Sequence, residues 1–275
     1  MSDVISLEEG RRAFGANSEA YNDARPDYPP RVYDILRDQG AVSQTARVFE
    51  IGAGTGQATA PLLALGCTIT AIEPDARLAT TLGNRLRPYG SSLTIVQSSF
   101  EDSLLPSASF DLGAAAMAFH WLQQDSALAK VFRLLRPGGW WAMWWTVFGD
   151  PADMDPFQRR TQALFQPLSR TPSHAGDSNR PFALDKDARM AELKAAGFGH
   201  ATYEEIRWNP TLTTRQVVGL TATFSPVTRL PEAERSRFLN ELGRIANEEF
   251  DGKVRRNFVT AIYLARKPEE LSRKS

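Results

Sequence analysis

A glycine-rich segment between two apolar runs constrains this chain of 275 residues more than any other feature. Residues 48–51 are mostly apolar, glycines follow at 52, 54 and 56, and the next apolar run, 67–73, ends in a glutamate. A strand, a glycine turn, a helical stretch and a second strand are typical of a β-α-β unit in a parallel sheet. Ligands of such sheets bind beyond the carboxyl ends of the strands. The sequence therefore predicts a ligand site around residues 50–57 and 73.

The spacing of these glycines disfavours two common nucleotide-binding patterns. A dinucleotide fingerprint is Gly-x-Gly-x-x-Gly, but the sixth position is Gln57 when read from Gly52 and Thr59 when read from Gly54. No Lys-Ser or Lys-Thr pair follows the turn, so a phosphate-binding P-loop is not indicated either. A nicotinamide oxidoreductase is therefore disfavoured.

The observed pattern, Glu-x-Gly-x-Gly-x-Gly, suits a ligand that carries a ribose and a positive charge. Glycine has no Cβ and tolerates positive φ, so a ligand can lie directly on the backbone. Glu50 ends an apolar strand, where it can face a cationic group, and Glu73 can accept both hydroxyls of a ribose. The alternative is an ordinary tight turn with two surface acids, which the combination of the turn with Glu73 disfavours.

Together with further motifs, this pattern resembles the class I S-adenosylmethionine (SAM)-dependent methyltransferases, in the group of ubiquinone-biosynthesis-type and trans-aconitate-type enzymes. The resemblance covers about residues 21–147, and the remainder matches weakly. The matching segments are Tyr21, Arg25-Pro26-Asp27-Tyr28-Pro29, the glycine turn, Glu73-Pro74, Ser99-Phe100-Glu101, Phe110-Asp111-Leu112, Phe119-His120-Trp121 and Leu134-Leu135-Arg136-Pro137-Gly138-Gly139.

The resemblance implies a Rossmann-like α/β fold, with a seven-stranded, mostly parallel sheet, an antiparallel last strand, helices on both faces and inserted lid segments. It also implies SAM as the cofactor and S-adenosylhomocysteine as the product. The residues that it assigns to cofactor binding are Arg25, Glu50, Gly52, Ala53, Gly54, Gly56, Gln57, Glu73, Pro74, Ser99, Phe100, Glu101, Ala116 and Met117.

Three of these assignments, and a fourth for Tyr21, have a more specific basis in the resemblance. Phe100 would stack or pack on the adenine, and Glu101 or a backbone group would accept a hydrogen bond from its amine. Arg25 would lie near the carboxylate of the cofactor, and Tyr21 near the methyl group. The alternatives are that Phe100 fills the core and that Arg25 is solvated.

The segment after the fourth strand and the tryptophan-rich fifth strand supply the candidates for the acceptor pocket: His120, Trp121 and Trp145. His120 and Tyr21 are the catalytic candidates. His120 could remove a proton from a hydroxyl, orient a carboxylate, or only bond within its turn. Both tryptophans could instead be packing residues, whereas Trp145 at the carboxyl end of its strand could also hold a flat or cationic acceptor.

Composition narrows the functional class. Lys plus Arg equals Asp plus Glu at 32 each, which argues against a nucleic-acid binder. No run approaches the roughly 20 apolar residues of a membrane span, and the N-terminus does not resemble a signal peptide. One cysteine and three scattered histidines offer no metal-ligand spacing. We therefore expect a cytoplasmic, metal-free protein without nucleic-acid or membrane partners, either a monomer or a homodimer.

Strands that alternate with helices predict five segments along the chain. They are an arm and helix that cover the cofactor (1–45), a SAM-binding core (46–147), a lid or substrate insertion (148–186), the end of the core (187–265) with a second helical insertion (209–253), and a tail (266–275).

The sequence is thus interpreted as a SAM-dependent methyltransferase that acts on a small-molecule acceptor by in-line displacement. Oxygen, as a carboxylate or hydroxyl, is the first choice of acceptor atom, and nitrogen and carbon stay open. The alternatives are methylation of RNA or protein and a non-catalytic SAM-fold binding subunit. The even charge balance disfavours the first alternative, and the intact glycines and acids disfavour the second.

Overall fold

A computed structural model describes residues 25–168 and 180–269 of the chain. Its strands are β1 (Arg47–Ile51), β2 (Thr68–Ile72), β3 (Leu93–Val96), β4 (Phe110–Ala116), β5 (Leu135–Val147), β6 (Ala201–Trp208), β7 (Thr211–Thr213), β8 (Lys253–Arg255) and β9 (Phe258–Arg266). Its α-helices are α1 (Arg31–Asp38), α2 (Thr59–Ala64), α3 (Ala76–Arg85), α4 (Gln124–Leu134), α5 (Pro156–Phe165), α6 (Lys186–Ala195), α7 (Thr214–Ala222), α8 (Ser225–Thr228) and α9 (Glu232–Phe250).

The main sheet has seven strands in the order β3-β2-β1-β4-β5-β9-β6, and β7 pairs with β8 separately. β1 lies parallel to both β2 and β4, so the strand order reverses direction at β1. Such a reversal opens a crevice beyond the carboxyl ends of the two central strands, which is where ligands of α/β sheets bind. The fold therefore places the glycine turn after β1 at that position.

The last strand, β9, runs antiparallel to its neighbours, as the sequence predicts. Lys267, just after the end of β9, donates to the carbonyl of Gly139 near the start of β5. Arg266 donates in the same way to His200, immediately before β6. Because the end of β9 meets the beginnings of both neighbouring strands, β5 and β6 run opposite to it. The predicted Rossmann-like architecture is confirmed.

Aromatic packing against one central side chain holds the middle of the sheet. The Phe49 ring stacks on Phe100 at 6.2 Å and on Trp141 at 6.3 Å between centroids, and meets Phe110 edge-on at 5.2 Å. A Cβ at Gly113, on the neighbouring strand, would come within 2.3 Å of the Phe49 ring. The close packing of β1 on β4 therefore depends on a glycine opposite a phenylalanine.

The sequence pattern predicts a turn at 137–139 before a strand that begins at Trp140, and a helix that begins near residue 56. Both boundaries are wrong. The predicted turn at 137–139 lies inside β5, which begins at Leu135 rather than Trp140, because Gly138 and Gly139 hydrogen-bond to Lys267. The first helix after the glycine turn begins at Thr59 rather than near 56, since Gly56 has a left-handed φ of 89°.

The chain divides into two compact units. The core unit comprises Tyr28–Trp145, Asp185–Glu205 and Ala261–Ser275, and the second unit comprises Met1–Asp27, Thr146–Leu184 and Ile206–Thr260. The second unit thus unites most of the two segments that the sequence analysis treats as separate insertions.

The second unit has its own apolar core and a buried ion pair. Phe157, Val217 and Leu242 belong to that core, which α5, α7 and α9 share with β7 and β8. Asp155 caps α5 by accepting from the Gln158 amide at 2.7 Å, and its other oxygen accepts from the Arg256 guanidinium at 2.9 Å. Both charged groups are buried, so each depends on the other for compensation.

Candidate functional site

The turn that follows β1 is built from glycines in left-handed conformation. Gly52, Gly54 and Gly56 have φ values of 65°, 57° and 89°, a region that other residues rarely adopt. The amides of Gly52 and Ala53 both donate to the carbonyl of Ile72 on β2, at 2.9 and 3.2 Å. These bonds fasten the turn to the neighbouring strand.

The three glycines face different surroundings. A Cβ at Gly52 would lie 2.6 Å from the Ala118 Cβ, and one at Gly56 would lie 2.6 Å from the Leu82 side chain. At Gly54 a Cβ would meet no atom of the described residues within 4 Å. Gly52 and Gly56 therefore serve close packing, whereas Gly54 exposes bare backbone to open space, as a ligand-binding turn requires.

Glu73, at the carboxyl end of β2, is joined to this turn. One of its oxygens accepts from the Gly54 amide at 2.8 Å and the other accepts from the Asp75 amide at 2.9 Å. Pro74 between them has no amide hydrogen to offer. Burial raises the pKa of the Glu73 carboxyl, and the two backbone bonds oppose that rise. A carboxylate oxygen can accept two hydrogen bonds, so each retains capacity for a ligand hydroxyl.

Glu50, on β1, is a buried acid, and only one of its two carboxyl oxygens has a hydrogen-bond partner among the described residues. It is 1% exposed, and its Oε2 accepts from the Thr59 hydroxyl at 2.7 Å. Its Oε1 has no hydrogen-bond partner among the described residues. Burial raises the pKa of Glu50 to about 8, and repulsion from Glu73 adds to the effect. A cation beside Oε1 would satisfy this oxygen and favour the ionised form.

The corner after β3 differs from its prediction in one respect. The Phe100 ring is buried and stacks on Phe49, so it fills the core and is not available to stack on an adenine. Ser99 caps the turn by accepting from the Asp102 amide at 3.1 Å. Glu101 is exposed, and its hydrogen bond with the adenine amine stays a prediction.

Lys130, on α4, organises this corner and was missed by the sequence analysis. Its ammonium donates to the carbonyls of Glu101 at 3.0 Å and Ser103 at 2.7 Å, and also to that of Phe100. Burial lowers the pKa of the Lys130 ammonium. Since Lys130 lies about 30 residues from the corner in the chain, no local pattern could have connected them.

The segment after β4 packs directly against the glycine turn. Met117, just beyond Ala116, has a left-handed φ of 56°, and its amide donates to the Trp144 carbonyl at 2.9 Å. Ala118 then lies against Gly52. The structure thus brings the predicted positions 116 and 117 to the edge that also carries the glycines.

His120 and its two predicted tryptophan neighbours form one buried cluster. The Trp145 indole Nε1–H donates to His120 Nδ1 at 2.9 Å. The Trp121 ring lies 4.9 Å from the imidazole, and all three side chains are buried. The His120 nitrogen that faces Trp145 is therefore occupied as an acceptor.

The arm that precedes α1 is described only from residue 25 onward. Arg25 donates to the Thr223 hydroxyl at 3.2 Å, and its guanidinium lies 5.4 Å from the Phe148 ring centre. These partners belong to the second unit. Tyr21 lies outside the described residues, and Gln57 is half-buried in the glycine turn, so the predicted roles of Arg25, Tyr21 and Gln57 stay predictions.

Two absences concern the described part of the chain. No cluster of three or more His, Cys, Asp or Glu residues there could hold a metal ion. None of the helices within 25–168 and 180–269 has the length and hydropathy of a membrane span.

Comparison with known proteins agrees with this geometry. Residues 49–143 match the model of a methyltransferase domain family. An uncharacterized methyltransferase of Schizosaccharomyces pombe is 26% identical over 239 residues, which cover 85% of this chain and 87% of that protein. An uncharacterized methyltransferase of Geobacillus thermodenitrificans is 30% identical over 157 residues, covering 53% of this chain and 69% of that protein.

A solved structure shares the fold. Phosphoethanolamine N-methyltransferase 2 of Haemonchus contortus, in complex with S-adenosyl-L-methionine, superposes with a TM-score of 0.58. The match covers 97% of this chain and 61% of that chain at 14% sequence identity. The superposition shows that the two proteins share an architecture. At 14% identity it gives no information about the substrate of this chain.

The different surroundings of Gly52 and Gly54 give a prediction about stability. Gly54→Ala should cost about 1–2 kcal/mol of unfolding free energy, because alanine is strained at positive φ but meets no neighbour. Gly52→Ala should cost about 2–5 kcal/mol, since overpacking against Ala118 adds to the same strain. Chemical denaturation of the two variants measures the difference. Equal losses would contradict the difference in surroundings between Gly52 and Gly54.

Proposed function

This chain belongs to the methyltransferase family, and from that membership we propose that it transfers a methyl group from SAM to a small-molecule acceptor, at an oxygen atom. The observation that carries the proposal is a combination beyond the ends of β1 and β2: bare backbone at Gly54, the Glu73 carboxylate bonded to it, and a Glu50 oxygen without a partner among the described residues. A ribose and a cationic amine in one ligand match these groups.

The residues present fit SAM on two independent grounds. Gly54 leaves open space where any side chain would intrude, next to a carboxylate that can accept ribose hydroxyls. The buried Oε1 of Glu50 needs a donor, and the ammonium of the methionine portion would be one. Glu73 and Gly54 would hold the ribose, Glu50 the ammonium, and the backbone at Ser99 and Glu101 the adenine.

When bound, SAM supplies a methyl group on a positively charged sulfur, which is already activated toward a nucleophile. The protein therefore needs no nucleophile of its own, and its part is to align the acceptor and exclude water. Favourable alignment can contribute about 7–11 kcal/mol. This requirement explains why the site has well-defined cofactor residues without a catalytic triad.

The acceptor side of the site is proposed at the corner that carries His120, Trp121 and Trp145. Those side chains are contiguous, and their corner follows the strand next to β1. These buried side chains make the interior of the corner aromatic with one polar imidazole, which suits a small organic acceptor better than a polyanion.

Two alternatives remain distinguishable by experiment. Methylation of RNA or protein is disfavoured by the even count of 32 basic and 32 acidic residues. A non-catalytic SAM-fold subunit is disfavoured by the complete set of Glu50, Gly52, Gly54 and Glu73, because a site that has lost its function would not be expected to keep all of these residues.

The binding step predicts selectivity among nucleosides. Calorimetry should give micromolar binding of SAM and S-adenosylhomocysteine and none of NAD. Glu73→Ala should weaken SAM binding about 10- to 150-fold, the equivalent of about 1.5–3 kcal/mol for a hydrogen bond to a charged group. Glu248→Ala, which removes an exposed acid on α9, is the control and should bind like the parent. Unchanged affinity of the Glu73 variant would remove Glu73 from the site.

Glu50 predicts a pH dependence of SAM binding. Its pKa of about 8 means that the carboxyl is largely protonated at pH 6 in the free protein, and pairing with the ammonium requires its ionisation. Affinity should therefore rise with pH between about 5.5 and 7.5, where an α-ammonium stays largely charged. The slope should approach tenfold per pH unit, as expected when binding releases one proton.

The pKa of Glu50 also determines how the stability of the free protein changes with pH. A raised carboxyl pKa stabilises the fold most fully below about 4.5, and that contribution is lost as the pH rises to about 8. Glu50→Gln removes both effects, so its SAM affinity should be nearly flat with pH. An undiminished slope in this variant would assign the proton to another group, with Glu73 the first candidate.

The reaction itself is tested with methyl-labelled SAM and a panel of small carboxylates, phenols, alcohols and amines. We expect label in at least one small oxygen acceptor. Cell RNA and protein fractions, incubated in parallel, should remain unlabelled. Label confined to either macromolecular fraction would overturn the small-molecule proposal, and label on an amine alone would overturn the choice of oxygen.

A further inference from the structure

We infer that Trp145 is a positioning residue that fixes the tautomer of His120, with the ring proton on Nε2, and that His120 is therefore not a general base. This inference rests on the proposed function for the location of the acceptor. It assigns different tasks to two residues that the sequence places together only as candidates for one pocket.

The direction of the hydrogen bond sets the tautomer of the imidazole. Trp145 Nε1 lies 2.9 Å from His120 Nδ1, and an indole nitrogen can only donate. His120 Nδ1 must then provide its lone pair. A neutral imidazole carries one proton, which is consequently on Nε2. A group that faces Nε2 therefore meets the N–H of the imidazole, which is a hydrogen-bond donor.

A charged imidazole is unfavourable in this arrangement. If Nδ1 were protonated, its N–H would point at the indole N–H of Trp145 across 2.9 Å. The indole donor would then have lost its acceptor. His120 is only 6% exposed and Trp145 only 2%, so water cannot readily replace the lost bond. The arrangement holds the ring neutral.

Neighbouring aromatic rings keep the pair in this geometry. Trp121 lies against the imidazole at 4.9 Å, and Tyr263 meets the Trp145 ring edge-on at 6.2 Å. Phe119, in the same turn as His120, is fully buried against Trp141 at 5.2 Å. Because these contacts surround both partners, neither ring is free to turn without disturbing the core.

The backbone brings donor and acceptor together from adjacent strands. Ala116, the last residue of β4, pairs with Trp144, and the Met117 amide donates to the Trp144 carbonyl. Trp145 is thus next to the start of the turn that carries His120. The position of the indole is set by strand pairing rather than by a loop.

A general base needs a free lone pair on one nitrogen, and His120 has none to offer. Nδ1 is occupied by Trp145, and Nε2 bears the proton. In this tautomer the only hydrogen-bonding role left to Nε2 is that of a donor. The proposed acceptor therefore reacts without passing a proton to His120.

The first test needs neither cofactor nor acceptor. Long-range ¹H–¹⁵N spectra of the full chain at pH 7, with His120 assigned by its absence in His120→Gln, should show a single neutral form with the proton on Nε2. In Trp145→Phe the hydrogen bond to Nδ1 is lost, so the indole no longer excludes a proton from that nitrogen. Signals that include a form with a proton on Nδ1 should therefore appear.

Trp140→Phe is the matched control. It also removes an indole from β5, but this indole contacts His200 and not His120. Its His120 spectrum should equal that of the parent. A proton on Nδ1 in the parent, or a spectrum unchanged by Trp145→Phe, would overturn the inference. A merely structural role for Trp145 would not move the protonation pattern of a folded variant, which circular dichroism verifies.

The second test measures methyl transfer to the acceptor that the labelled-SAM panel identifies. His120→Gln retains an N–H donor near the Nε2 position but cannot act as a base, so its kcat should fall no more than about tenfold. His120→Ala should fall further, and Trp145→Phe should have little added effect in the His120→Ala background. A glutamine variant as impaired as the alanine variant would favour a base. Failure of SAM binding or of all transfer would instead refute the proposed function, while the spectra still judge the inference.

Discussion

The carboxylate of Glu73 holds the candidate cofactor edge together. Its two oxygens accept from the amides of Gly54 and Asp75, and so connect the glycine turn after β1 to the start of α3. Glycines in left-handed conformation have many accessible states when unrestrained, and fixing them costs conformational entropy. Hydrogen bonds from a buried acid offset part of that cost. The side chain that would contact a ribose is therefore also the one that shapes its binding surface.

Glu50 shows the opposite relation between stability and binding. A carboxyl buried beside a single hydroxyl, with one oxygen unmet among the described residues, costs free energy that the free protein does not recover. The raised pKa expresses this cost, since the group stays neutral to about pH 8. A cationic ligand would relieve it, so part of the destabilisation of the empty site would reappear as selectivity for positive charge. Neutral nucleosides gain nothing from the same acid.

Much of this arrangement could be predicted from the sequence because its signals are local. Apolar runs place β1, β2 and β4, and glycine spacing with Glu73 identifies the kind of turn between the first two strands. The misplaced start of β5 has a non-local cause: Gly138 and Gly139 look like a turn until Lys267, more than a hundred residues later, pairs with them.

Long-range contacts also account for what the sequence analysis missed in the site. Lys130 reaches the corner after β3 from α4, and the burial of the Phe100 ring depends on Phe49 in another strand. The hydrogen bond from Trp145 to His120 depends on the pairing of β4 with β5. A sequence pattern can bring such residues to the same sheet edge, but the direction of a hydrogen bond between them requires coordinates.

The contact between Gly52 and Ala118 links the two halves of the candidate site. A Cβ on Gly52 would lie 2.6 Å from the Ala118 Cβ, so the turn after β1 and the turn after β4 meet with no room for a side chain at Gly52. The first turn presents the predicted cofactor surface, and two residues after Ala118 comes His120. In-line transfer tolerates little error between donor and acceptor. On the proposed function, close packing of these two turns would fix that distance through the backbone itself, and flexible side chains would not have to set it.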